Sequence, residues 1–218
     1  HQAGGASMLE PLYFWSAYAN EEIPWLATGY EYNHDYTELT VDIREGVEWS
    51  DGEAFDANDV VFTINMLKEN EPVLQWSTAM ESSVAEVEAV DDLTVHITFN
   101  EPRPRFMLDH LMSKFDTGLK WVPEHVFKDV EDVATFGFYD LEKGWPLATG
   151  PYKRVEWSPQ QAFFDRRDDW WGVKTGFMDK LPAPERLLFI PRTTDDTALI
   201  QRIVNDEVDQ TLDLRANT

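Results

Sequence analysis

Apolar residues return at every second position at Leu39, Val41 and Ile43, with Thr40, Asp42 and Arg44 between them, and this period predicts a strand with one buried face. The strand runs into Trp49-Ser-Asp-Gly52, where Asp-Gly supplies the positive backbone φ of a tight turn. Beyond the turn the period lengthens. Val60, Ile64 and Leu67 form one apolar stripe at helical spacing, Asp56 stands where a side chain accepts from the free amides of a first turn, and Asp59 meets the positive end of the helix dipole. Pro72, after Glu71, stops that helix. Alternation resumes at Ala85, Val87 and Ala89 and again at Leu93, Val95, Ile97 and Phe99, with Asp91-Asp92 between the two runs as a hairpin turn.

Two short helices are expected next, over Phe106 to Met112 and over Val122 to Phe127, where Pro123 is tolerated in a first turn. From Phe136 to Pro146 the periodicity is lost, which predicts a loop and a boundary between lobes. Tyr152 to Trp157 and Ala162 to Asp165 then flank Ser158-Pro159 as the arms of a hairpin. Leu187 to Ile190 reads as a short strand before Pro191, and Asp195 to Asn205 as a last helix carrying Leu199, Ile203 and Val204. Short strands interspersed with separated helices predict an α+β or mixed α/β fold with at least two packed units.

Such units need a core, and 43% hydrophobic residues with nine Trp in 218 positions supply one. Charge narrows the partners. With 41 acids against 18 bases the net charge is −23, a surface that repels phosphate backbones and anionic lipid headgroups, so nucleic acid is not an expected partner. The lack of cysteine excludes disulfides, thiolate nucleophiles and Cys-ligated zinc. No apolar run approaches the roughly 18–20 residues of a membrane helix, and His1 to Ser7 lacks the basic and apolar regions of a signal peptide. The abrupt apolar start at Met8 to Trp15 leads us to expect that further chain precedes it.

Four ordered segments carry a resemblance. Leu39 to Lys68 resembles the strand, R-x-G-x-x-W-S-D-G turn and D-V-V-F helix of the solute-binding proteins of ABC importers that capture oligopeptides, dipeptides, nickel or oligosaccharides. Ala148-Thr-Gly-Pro-Tyr-Lys153 is similar to that family's G-T-G-P-Y segment, with Ala148 for the usual Gly. Phe164 to Gly172 is similar to its R-N-x-x-Y-W-G segment, with Trp170 for Tyr. Ala198 to Asp209 is similar to its A-L-x-x-G-E-x-D segment, with Asp206 for Gly. The resemblance implies a type II, cluster C periplasmic-binding fold of two lobes with the solute held between them. Residues 1–147 would then form most of an accessory subdomain of the first lobe and 148–218 part of its main sheet, with the second lobe outside this chain. It also implies an extracytoplasmic location, a membrane permease as partner, no cofactor, and a sheet edge through which truncated copies would associate.

Candidate chemistry follows the same division. Trp49, Ser50, Asp51 and Gly52 are explained by turn formation, and Gly150-Pro151-Tyr152 and Trp171-Gly172 by scaffold packing. Asp168-Asp169, Asp195-Asp196 and Glu21-Glu22 are adjacent acids whose side chains point apart, and the five His show no metal-ligand spacing, so neither catalysis nor a metal is expected. A glycosidase with two carboxyls in a Trp-lined cleft is the alternative enzyme reading. For solute contact the candidates are Trp76, which follows the helix stop and by resemblance faces the interlobe cleft, and the cluster Tyr13, Phe14 and Trp15. Core and ligand readings remain open for all four.

Overall fold

The alternating segments pair as their periods demand. In the computed structural model, which describes residues 5–114, 117–190 and 195–210, the chain opens with α1 (Gly5–Met8), β1 (Tyr13–Ser16), β2 (Glu21–Pro24), β3 (Ala27–Tyr32) and β4 (Glu38–Ile43). Then come α2 (Ala57–Glu69), α3 (Ser77–Ser83), β5 (Val84–Asp91) and β6 (Thr94–Phe99). Strands β3, β4, β6 and β5 form one antiparallel sheet in that order, with Val41 opposite Val95 and Leu39 opposite Ile97. Leu39, Val41, Ile43, Val95, Ile97 and Phe99 all point to one buried face, where they meet Val60, Ile64 and Leu67 of α2. Each such side chain contributes roughly 1.5–3 kcal/mol on burial, so the stripe and the sheet hold each other in place.

Helix α2 starts where Asp56 predicts. Its carboxylate accepts from the Asn58 amide, and Asp59 closes a capping box on the Asp56 amide. Asp59 does more than face the dipole. It is buried, and it accepts from Trp49 Nε1 at 2.9 Å and from the Glu124 amide at 2.8 Å, tying the turn at 49–52 and α4 (Glu124–Phe127) to the helix. Gly52 takes φ +95° in that turn, as expected for Asp-Gly.

Strand β5 departs from simple alternation. Val84 and Val87 are buried while Ala85 is exposed and Ala89 half-buried, because the register against β6 shifts between Val84 and Glu86. A bulge adds one residue to a strand and re-aims those beside it, which a strict period of two does not anticipate. The segment expected as a short helix at 106–112 is a π-helical turn, Met107–Leu111, leading into β7 (Met112–Ser113). That short strand lies parallel to β1, with Tyr13 opposite Met112, and β1 also pairs antiparallel with β2.

The remaining elements are β8 (Tyr152–Trp157), β9 (Ala162–Arg166), α5 (Trp171–Lys174), β10 (Arg186–Phe189) and α6 (Asp196–Val204). Strands β8 and β9 form the expected hairpin, and β10 adds antiparallel to β9. Met8, Ala148, Tyr152, Ala162 and Phe164 make a second, smaller core, whereas Trp170 and Trp171 pack into the first. Gly150 donates its amide to Met8 O at 2.8 Å, and a Cβ there would collide with the carbonyls of Ser7 and Met8. Buried Arg167 joins the units by donating to Ala148 O at 2.7 Å, Gly150 O at 3.1 Å and Trp49 O at 3.4 Å. Asp195 caps α6, whose Leu199 is buried, Ile203 half-buried and Val204 exposed. The expected strand end at Pro191 lies outside the described residues.

Candidate ligand-facing aromatic surface

Two rows of rings leave adjacent residues of β1, since neighbouring side chains of a strand point to opposite faces. From Tyr13 the row runs edge-on to Tyr30 (5.5 Å between centroids), then to Tyr32 (6.1 Å), Phe99 (6.4 Å), Phe106 (4.7 Å), His110 (5.0 Å) and Trp76 (5.5 Å). From Phe14 a second row runs to Trp25 (5.0 Å), Phe177 (5.1 Å) and Trp171 (5.2 Å). The edge-to-face pairs in these rows, Tyr13–Tyr30, Tyr30–Tyr32, Trp76–His110, Phe14–Trp25 and Trp25–Phe177, stabilise beyond simple burial. Three candidates therefore stand on two connected rows, with Tyr13 and Trp76 at the ends of one.

Their exposure differs. Tyr13 is buried at 4% accessibility, while Phe14, Trp15 and Trp76 are half-buried. Trp76 precedes α3 at φ +72°, ψ −6°, a left-handed conformation that is costly for a bulky residue. Tyr30 donates its hydroxyl to Glu22 at 2.8 Å, which places a carboxylate beside the rings, and burial together with that carboxylate pushes the phenol pKa well above its usual value. Glu22 is exposed on β2.

Two surface grooves stand out among the described residues, the second of them lined by the Phe106 and His110 that lead to Trp76 in its row. One of about 360 Å³ runs along α2 and α4 past Phe62, Asn65, Glu69 and Phe127, and one of about 250 Å³ is lined by Arg103, Arg105, Phe106, Asp109 and His110. Neither is lined by Tyr13, Phe14, Trp15 or Trp76. We keep half-buried Phe14, Trp15 and Trp76, with buried Tyr13, as the candidate ligand-facing residues.

Glu10 is not among the residues that the sequence pattern singles out. Its carboxylate is buried and accepts from Trp25 Nε1 and Trp171 Nε1, both at 2.9 Å, and its amide donates to Thr149 Oγ1 at 3.3 Å. Burial raises its pKa to about 7, against the lowering effect of those donors and of Arg167. The signal was an acid inside the apolar run Met8 to Trp15, but the two indoles that hold it come from distant parts of the chain.

Residues 21–218 match the family model for bacterial extracellular solute-binding proteins, family 5. The chain belongs to that family. Its relatives include the periplasmic alpha-galactoside-binding protein of Rhizobium meliloti, 28% identical over 171 residues, which are 74% of this chain and 24% of that protein. A putative ABC transporter peptide-binding protein of Brucella ovis is 29% identical over 66% of this chain and 26% of its own length. Among solved structures, the mannohexaose-bound periplasmic oligopeptide-binding protein of Thermotoga maritima superposes with a TM-score of 0.77 at 25% identity, covering 95% of this chain and 36% of that one. NikZ of Campylobacter jejuni, solved with Ni(L-His), shares the fold at 0.77 and 24% identity, over 96% of this chain and 38% of its own. The chain thus spans about a quarter of the curated relatives. Its mixed α/β fold is that of the type II periplasmic binding proteins, and family 5 is a family of binding proteins. Among the described residues no helix is long and apolar enough to cross a membrane.

Proposed function

We propose that this family 5 chain supplies part of the first lobe of an extracytoplasmic solute-binding protein, which captures peptides, or oligosaccharides close behind, and delivers them to an ABC permease in the membrane. The observation that carries the reading is the family match across residues 21–218. Residues 1–147 serve as the accessory subdomain and 148–218 as part of the lobe's main sheet, with the solute closed in by a second lobe. In this mechanism the work is done by the free-energy difference between open and closed lobes, and no covalent step is involved. The half-buried rings of Phe14, Trp15 and Trp76 offer flat apolar faces suited to sugar rings or apolar side chains, and Tyr13 supports them from the core. The outer edge of β10 is the surface through which copies lacking further strands associate.

Calorimetry on the two-lobed protein tests this. Trp76→Ala should weaken binding of peptide or oligosaccharide by about 1–3 kcal/mol, the loss typical of an aromatic anchor, with Tm nearly unchanged. A large fall in Tm with affinity intact would assign Trp76 to the core. Turnover of labelled glycans would replace the binding reading with the glycosidase one.

A further inference from the structure

The Trp76 ring stands on a backbone that does not favour it. At φ +72° a tryptophan lacks the short polar side chain that lets Asn or Asp sit in the left-handed region, and no side-chain hydrogen bond caps α3 from this position. Something else must hold the residue in place. Its ring meets the His110 imidazole edge-on, 5.5 Å between centroids at 82°.

His110 is itself carried in an unusual way. It lies in the π-helical turn Met107–Leu111, a form that occurs mostly as single turns at functional places. The Tyr32 hydroxyl accepts from the Met107 amide at 2.9 Å at the start of that turn, and the His110 carbonyl accepts from the Leu119 amide at 2.8 Å near its end. Phe106 also tilts against the imidazole, 5.0 Å between centroids. His110 Nδ1 is buried with no hydrogen-bond partner, a cost that a plain apolar residue would avoid. Burial lowers the imidazole pKa, with Lys114 and Arg103 acting in the same direction and Asp109 opposing them, so the ring meets Trp76 uncharged near neutral pH.

We propose that His110 is a positioning residue for Trp76: its imidazole, carried on a π-helical turn that the Tyr32 hydroxyl anchors, fixes the orientation in which the indole meets solute. The solute contact of Trp76 rests on the function proposed above, whereas the positioning does not. 5-Fluorotryptophan incorporated into the full chain labels all nine Trp, and Trp76→Phe identifies the signal of residue 76. His110→Ala should shift and broaden that signal and leave the other indoles in place, while His110→Phe restores a ring and returns the signal towards its original position. Tyr32→Phe, which removes one hydroxyl, should also broaden it.

An unmoved Trp76 signal in folded His110→Ala overturns the proposal, and where that variant does not fold, an unmoved signal in Tyr32→Phe does so. In the two-lobed protein, titrated with mannohexaose and with tetra-alanine, His110→Ala should weaken whichever binding Trp76→Ala weakens, and His110→Phe should recover most of it. If Trp76→Ala leaves both affinities unchanged, the solute contact falls, and the fluorine signals alone decide the positioning.

Discussion

Glu10 shows what one buried carboxyl can do to the pH response of a fold. Its pKa of about 7 in the folded chain stands above the ordinary 4.5 because burial disfavours the charged form more than the Trp25, Trp171 and Thr149 hydrogen bonds and Arg167 favour it. Since the folded state binds its proton more tightly, Glu10 favours the fold fully below pH 4.5, and that contribution is lost as pH rises through about 7. The difference is on the order of 3 kcal/mol. Asp59, raised by burial to about 6, acts in the same direction. Comparing the wild type with Glu10→Gln isolates Glu10, because Asp59 is present in both. Urea midpoints measured from pH 5 to 8.5 should fall more steeply for the wild type. The variant should be the less stable of the two at pH 5, since the two indoles donate to different oxygens of Glu10 and the amide nitrogen that replaces one of them cannot accept. Parallel curves would remove Glu10 as the cause.

Among the elements, α2 and the strands β4 and β6 were readable because their instructions are local: a cap, a stripe and an alternation within a few residues. The bulge in β5 and the π-helical turn were not, since each is set by the element packed against it. Strand β10 carries its own consequence. Within the described residues it is one of the two outer strands of its sheet, with Leu188 exposed at 53%, and an unpaired edge with apolar side chains invites pairing with a second copy. Light scattering on the 218-residue chain should therefore show dimers or larger species, and Leu188→Lys should shift them towards monomer. A monomer at all concentrations would show that the edge is protected.

For the molecule as a whole, the proposed function has this chain supply only one wall of the site. A solute held against one wall keeps its other side in water, and losing contacts worth about 3 kcal/mol lowers affinity on the order of a hundredfold. The 218 residues alone should thus bind peptide or oligosaccharide far more weakly than the two-lobed protein does by calorimetry. Equal affinity would place the whole site within this chain. From residue order alone came the fold class, the α2 cap and stripe, the two hairpins and the family, because each rests on spacing within short segments or on their order along the chain. Trp76 and Tyr13 could be named as candidates in the same way. That they end one row of rings, that His110 stands against Trp76, and that Glu10 is held by Trp25 and Trp171 are matters of tertiary structure. Those contacts join residues up to 161 positions apart, and a hydrogen bond or ring edge depends on where two backbones cross, which no local pattern encodes.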